Sequence, residues 1–410
     1  MRLWIVTPVT LAHGRSGGIE HHTELLATGL SARGHEVTVV TTAHPDGRTT
    51  DRMGDVELMY VPGSSSRPDE PQWWADTYAR LRAVHAEQPV DAVVSLSAGA
   101  LGWLAPARTE LGVPAVVVLH ASLGGELRRT WREARTVRGW YRLARLAGRT
   151  APLLLRWRRA APAVAAWAPV SQAVAAESRR ELGIPSDRVT VVPACVDVER
   201  FRPDPIVGEA WRAASGLSAD DRLLVVASRL ESAKGVGVAI DATARLRARR
   251  DDVVLAVAGA GAAAFRRTAR VLGLGPAVRF LGPVDHGELP AVLAAADLFV
   301  LPSLGPEGLP LSALEAAAAG LAVVASDVPG AREAVVDGVT GVLVPPGDPE
   351  ALARAIEELL SDGARRRGLG KQARVHAEQR FSQAVVAETV EKLLVDVAAR
   401  QRGHGRPGHQ

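Results

Sequence analysis

A single cysteine, Cys195, stands among 410 residues, so no internal disulfide and no multi-cysteine metal site can be assembled. That scarcity points to a reducing, cytoplasmic setting. Aromatic residues make up only 4% of the chain, and nucleic-acid binding would have to rest on a stripe of arginines without the interleaved aromatic platforms such proteins use. No apolar run reaches the ~18 residues of a membrane-spanning helix. The opening Met1-Arg2-Leu3-Trp4-Ile5-Val6 is too short for a secretory apolar region and lacks a small-residue cleavage site; it reads as a first strand. Neither charge sign dominates: 49 Lys and Arg face 45 Asp and Glu, and the net charge of +4 does not argue for nucleic acid. What remains is a globular composition, 47% hydrophobic, in a chain long enough for two or three domains.

Short apolar runs alternate with helical stretches, the pattern of βα units built on parallel sheets. In the first half, residues 3–7, 36–41, 56–61, 91–96, 115–119, 166–170 and 189–192 read as strands. In the second half the strands read as 222–227, 253–258, 278–281, 298–301, 322–325 and 341–344. A charged, proline-bearing segment, 197–205, separates the sets and reads as a linker. The expected organisation is therefore two Rossmann-like domains, 1–200 and 206–380, then a helix over 381–400 crossing back to the first domain. The Gly/Arg/His-rich end, 401–410, reads as frayed.

The stretch from Arg128 to Arg159 interrupts this order. Arg128, Arg132, Arg135, Arg138, Arg142, Arg145 and Arg149 recur every three or four residues and form one stripe on a helix. Val137, Trp140, Tyr141, Ala144 and Ala147 fall opposite. Either this is a solvated face over a packed one, or the stripe lies on an anionic membrane surface or grips an anionic acceptor.

Chemistry concentrates around Glu307 and Glu315. An apolar strand, 298–301, precedes Glu307, and a helix beginning near Pro310 stops at Gly320. The free N–H groups and positive dipole end of that helix make an anion site. A carboxylate on each side of it would repel bare phosphate but suits a ligand with phosphate in one part and hydroxyls in others, such as a nucleotide sugar. The plain alternative is a loop charge and a solvated helix charge.

Arg229 and Lys234 follow the strand 222–227, where open α/β sheets bind ligands, and together could hold a diphosphate. Gly17 and Gly18 follow the first strand, where backbone amides can approach a phosphate or sugar closely. Gly259-Ala260-Gly261 imitates a dinucleotide fingerprint, but it does not follow the first strand of its unit, and the next strand ends in Gly282-Pro283 instead of an acid. It reads as a tight turn, which also removes the case for a nicotinamide oxidoreductase. His120 ends the strand 115–119, and no histidine, including His286, has partners at metal-ligand spacing.

Together these residues resemble the retaining glycosyltransferases of the family-4 type. The match rests on Glu307 and Glu315 with Gly308-Leu309-Pro310 between them, Arg229-Leu230 with Lys234-Gly235, and Gly17-Gly18. Val192-Pro193 before Val196-Asp197, Phe280-Leu281-Gly282, and Asp297 ahead of Leu301-Pro302-Ser303 are similar to its flanking landmarks. The resemblance is dense over 222–344, thinner in the first half and absent over 128–159. It departs at Ala194-Cys195, where the family often has Asn-Gly.

The resemblance implies the GT-B fold, two Rossmann-like domains facing each other across a cleft, and transfer of a hexose from a UDP- or GDP-sugar to a hydroxyl acceptor. It implies that Arg229 and Lys234 neutralise the diphosphate, assisted by the amides of Gly308 and Leu309. Glu307 would accept hydrogen bonds from the donor sugar, Glu315 would hold the ribose, and the backbone around Val284 would meet the base. His120 would stand near the reacting carbon and the acceptor. It also implies work without a metal or other cofactor. The acceptor is expected to be a lipid-linked or cell-surface glycan intermediate; the alternatives are a small soluble acceptor, or a non-catalytic scaffold that binds nucleotide sugars.

Overall fold

The computed structural model describes every residue except 15–16, 65–70, 123, 126, 128–130, 132–135 and 405–410, with the backbone alone at 137, 138, 142 and 402–404. The expected arginines Arg128, Arg132 and Arg135 lie outside the described residues. The chain divides into two compact units: Met1–Cys195 together with Gln383–Gln410, and Val196–Ser382.

The first unit is built on a seven-stranded sheet in the order β3-β4-β2-β1-β5-β6-β7. Its strands are β1 (Arg2–Val6), β2 (Glu36–Thr42), β3 (Thr50–Met53), β4 (Val56–Val61), β5 (Ala92–Leu96), β6 (Ala115–Leu119) and β7 (Ala166–Pro169). All pairings are parallel except β3 with β4. The Val-rich strands β5 and β6 are buried along their whole length, as helices on both faces of a parallel sheet require. Strand β3 has no apolar run to announce it. It alternates exposed and half-buried residues at the sheet edge, closed onto β4 by Gly54 at φ +59°. The run 189–192, expected as a strand, contributes only a bridge between Val189 and Trp167. Thr190 and Val192 donate to Trp167 O and Pro169 O at 2.9 and 3.0 Å, but Pro169 has no N–H to return, so the ladder does not continue.

The second unit holds six strands, all parallel, in the order β10-β9-β8-β11-β12-β13. They are β8 (Arg222–Ala227), β9 (Val253–Ala258), β10 (Val278–Gly282), β11 (Leu298–Leu301), β12 (Val323–Ser326) and β13 (Gly341–Val344). A core of Leu224, Val226, Val257, Val300, Val324, Ile240 and Ile356 joins the sheet to its helices.

The expected domain boundary at 200 falls instead between Cys195 and Val196, and residues 197–205 are no free linker. Phe201 is buried, and the Arg374 guanidinium donates to the carbonyls of Val198, Phe201 and Ala318 at 2.7, 2.6 and 2.6 Å. Two carbonyls of the segment, held by Arg374, and one buried ring tie it to the second unit.

The last helix, Gln383–His404, packs in the first unit against the helix Gly18–Ala32. Gln383 donates to Leu25 O and Thr28 Oγ1, while Glu391 meets Arg33 and His35. No helix among the described residues is long and apolar enough to cross a membrane.

Candidate active site

Strands β8 and β11 are parallel neighbours, so the loops that follow them leave the same sheet edge. After β8 a short turn, Ser232–Lys234, ends at Gly235 with φ +66°. A Cβ on Gly235 would lie 1.8 Å from the carbonyl oxygen of Pro302, so only glycine lets the loops touch here. Leu304 N–H then donates to Ala233 O at 2.8 Å. This contact carries Lys234 to Glu307: Nζ stands 2.8 Å from both carboxylate oxygens.

Glu307 is held from three further directions. Ser303, completely buried, donates its hydroxyl to Oε1 at 2.6 Å. The Glu307 N–H donates to Pro329 O at 2.9 Å, and Gly330 packs so closely that a Cβ would meet Glu307 O at 2.2 Å. The Glu307 side chain is 11% exposed and that of Lys234 24%. The solvated loop charge is therefore excluded. Lys234 has three donors, of which Glu307 occupies two. Beside the pair, the N–H groups of Gly308 and Leu309 have no hydrogen-bond partner among the described residues, and Pro310 caps the helix Leu311–Ala318. One ammonium and two amides without a partner among the described residues thus lie in the loops that carry a fixed carboxylate, which offers groups for both an anion and a hydroxyl.

Glu315 lies in that helix and is buried. Its Oε1 accepts from His286 Nε2 at 2.9 Å, and Phe201 packs edge-on against the same imidazole with ring centroids 5.2 Å apart. The helix charge is thus not solvated either. The contact joins residues 29 apart in the chain, so sequence spacing gave no sign of it. Val284 is half-buried in the loop after β10, past a register shift between Phe280 and Gly282. Arg229 is not drawn into the Lys234–Glu307 cluster: its side chain is 76% exposed and pairs with Glu231 at 2.9 Å. Gly259 serves a tight turn, since a Cβ there would sit 1.9 Å from Ser228 O.

The other expected residues belong to the first unit. Gly17 caps the helix Gly18–Ala32 in extended backbone, and a Cβ on it would meet the Glu20 carboxylate at 2.6 Å. The gap at Gly17 therefore admits the carboxylate of its own helix. His120, at the end of β6, packs edge-on to His22 with ring centroids 5.2 Å apart. Burial, and secondarily His22, push His120 down to about 3; burial pushes His22 down to about 4. Both imidazoles are neutral at physiological pH.

Sequence reasoning missed Ser303, His286, His22 and Ser97. Ser303 was within reach, since it ends Leu301-Pro302-Ser303 four residues before Glu307. The others acquire meaning only from partners distant in the chain.

Two family models match the chain: "Glycosyl transferases group 1" over residues 207–376 and "Glycosyltransferase Family 4" over 16–200. A GDP-mannose-dependent alpha-(1-6)-phosphatidylinositol monomannoside mannosyltransferase of Mycolicibacterium smegmatis is 31% identical over 367 residues, covering 87% of this chain and 89% of that protein. The chain belongs to the family-4 glycosyltransferases. A D-inositol 3-phosphate glycosyltransferase of Corynebacterium aurimucosum is 36% identical over 219 residues, 51% of this chain. The match spans about half of that relative's length, 52%. The sucrose-phosphate synthase of Thermosynechococcus elongatus superposes over 97% of this chain and 99% of its own, with a TM-score of 0.79 at 23% identity. That likeness establishes the GT-B fold. In this family-4 glycosyltransferase, Lys234, Ser303 and Glu307 stand at the C-terminal edge of the second unit's parallel sheet, where such sheets bind ligands.

Proposed function

We propose that the chain transfers mannose from GDP-mannose, with retention of anomeric configuration, to an inositol-bearing, lipid-linked acceptor at the cytoplasmic face of a membrane. The observation that carries the donor half is the Lys234–Glu307–Ser303 cluster beside the free amides of Gly308 and Leu309. The mannosyltransferase match over most of both chains supports the sugar and the acceptor class.

In this reading the bond between the anomeric carbon and the diphosphate oxygen breaks while the acceptor hydroxyl bonds to the same face of the sugar. The hydroxyl proton passes to the leaving diphosphate. Lys234 and the two amides stabilise the charge gathering on that group, with Arg229 swinging in from the surface; this electrostatic task dominates such chemistry. No metal or other cofactor takes part. Glu307, already an acceptor for Lys234 and Ser303, receives sugar hydroxyls, and Glu315, oriented by His286, receives those of the ribose. His120 serves as a hydrogen-bonding group toward substrate, and the loop at Val284 meets the base.

The test is a thermal-shift and turnover screen of GDP-mannose against UDP-, ADP- and dTDP-sugars, with and without a chelator, wild type beside Glu307→Ala. Stabilisation by GDP-mannose, and chelator-resistant mannose release that the variant loses, are expected. Stabilisation by a different base class would overturn the donor. Binding without turnover on any phosphatidylinositol mannoside or inositol phosphate would favour the scaffold reading.

A membrane contact is favoured by the helix Val137–Ala160. Trp140 and Tyr141, expected on a packed face, are 53% and 70% exposed, and Leu155, Arg145 and Arg149 are exposed with them. Trp157, buried against Trp167, anchors the helix to its unit. Exposed aromatics beside arginines are the composition of an interfacial helix on anionic lipid.

A further inference from the structure

Ser97 is the one non-glycine residue with positive φ among the described residues, at +50°. It follows β5, and its left-handed backbone is held from every side. Its N–H donates to Val118 O at 2.9 Å, and its carbonyl accepts the Ser95 hydroxyl at 3.1 Å. Ser95 Oγ in turn accepts the Ala100 N–H at 3.0 Å, and a Cβ on Gly99 would sit 2.4 Å from Val6 O. Glycine would take this conformation without steric cost, whereas serine carries strain, and strain of this kind marks a residue whose side chain is used.

The Ser97 hydroxyl lies 3.5 Å from His120 Nδ1. On its other side His120 meets the edge of the His22 ring, the planes inclined at 76°. His22 is itself fixed: its Nδ1 accepts the Cys195 N–H at 3.3 Å, which puts the His22 proton on Nε2. His120 Nε2, by contrast, is enclosed and has no hydrogen-bond partner. A buried polar atom left unmatched inside an otherwise determined cluster is a group kept for something absent.

We propose that Ser97 and His22 are positioning residues that hold His120 as a neutral imidazole with its proton on Nε2, presented to a substrate hydroxyl. Ser97 Oγ–H donates to Nδ1, which leaves Nε2 as the donor, and the His22 edge sets the tilt of the ring. His120 then serves by hydrogen-bond donation and does not remove a proton. The inference rests on the reading of His120 as a group that faces substrate, and it assigns that residue a proton position and two supports.

The tautomer is read by isotope-labelled histidine side-chain NMR on the full chain without any sugar, the His120 signals assigned by their loss in His120→Gln. Expected is a neutral ring protonated at Nε2 from about pH 8 down to about pH 5, and a mixture of tautomers in Ser97→Ala and Ser97→Gly. Ser97→Gly is also expected to raise the unfolding midpoint, because strain is relieved, while lowering kcat about tenfold or more with donor KM within about twofold. Ser97→Ala keeps the strain, so it should lose the same activity with no rise in midpoint. His22→Ala should shift the His120 signals, and His22→Phe should restore them. A wild-type ring protonated at Nδ1, or wild-type turnover in Ser97→Gly, overturns the proposal. If no donor is turned over, the proposed function fails, while the tautomer and the midpoint still decide this inference.

Discussion

Ser303 Oγ and Lys234 Nζ are the two donors that fix Glu307, and their removal should separate two roles. Ser303→Ala leaves the carboxylate paired but free to turn, so turnover should fall about tenfold, the equivalent of ~1.4 kcal/mol, with little change in nucleotide affinity. Lys234→Ala leaves a largely buried carboxylate without its cation. It should weaken GDP binding and also cost ~1–3 kcal/mol of stability in the second unit, read by calorimetry and by nucleotide titration. Unchanged nucleotide affinity in Lys234→Ala would remove it from the diphosphate site. At the same scale, burial depresses His120 to about 3 and His22 to about 4, against an unfolded value of ~6.5. The unfolded chain therefore binds protons that the folded first unit refuses. Stability present above pH ~6.5 is lost as pH falls toward those values, by at most ~1.4 kcal/mol per pH unit for each histidine. Melting scans between about pH 7 and about pH 5 should show this slope, shallower in His22→Phe.

Among the elements, the helix Val137–Ala160 and the helix Gln383–His404 make opposite cases. The first buries Trp157 yet exposes Trp140 and Tyr141, so its outward face contributes little to folding. Replacing Trp140 and Tyr141 with serine and Arg145 and Arg149 with glutamine should leave the melting midpoint within a degree or two. The same change should abolish co-sedimentation with anionic vesicles at low salt. Binding to neutral vesicles as strong as to anionic ones, in the wild type, would exclude the electrostatic contact. The second helix buries Val386, Val390, Leu394 and Val397 in the first unit. Leu394→Ala should cost ~2–5 kcal/mol, read as an early unfolding transition of the first unit with the second unaffected. Both helices were expected from the sequence, but only packing distinguishes a helix that holds its unit together from one that offers a face to a partner.

At the scale of the whole molecule, most strands were legible because a parallel sheet buried on both faces demands uninterrupted apolar runs, and Val93-Val94 or Val116-Val117-Val118 supply them. The edge strand β3 was not, because an exposed edge needs no such run. The segment 197–205 looked like a linker for its charge and prolines. Yet Asp197 turns its carboxylate back to the N–H groups of Glu199 and Arg200, and Arg374 gathers the carbonyls of Val198 and Phe201. Composition alone does not reveal which unit satisfies a segment's polar groups.

By itself the sequence determined two parallel-sheet units and the family, and it offered Glu307, Glu315, Lys234 and His120 as candidates, because local pattern and motif order survive in one dimension. Tertiary structure alone decided their partners: Lys234 and Ser303 on Glu307, His286 on Glu315, Ser97 and His22 on His120. It also decided that Arg229 stays at the surface. The physical reason is that a side chain's orientation depends on groups within a few ångströms; apart from Ser303, four residues from Glu307, those groups lie 23 to 98 residues away and leave no spacing from which they can be read.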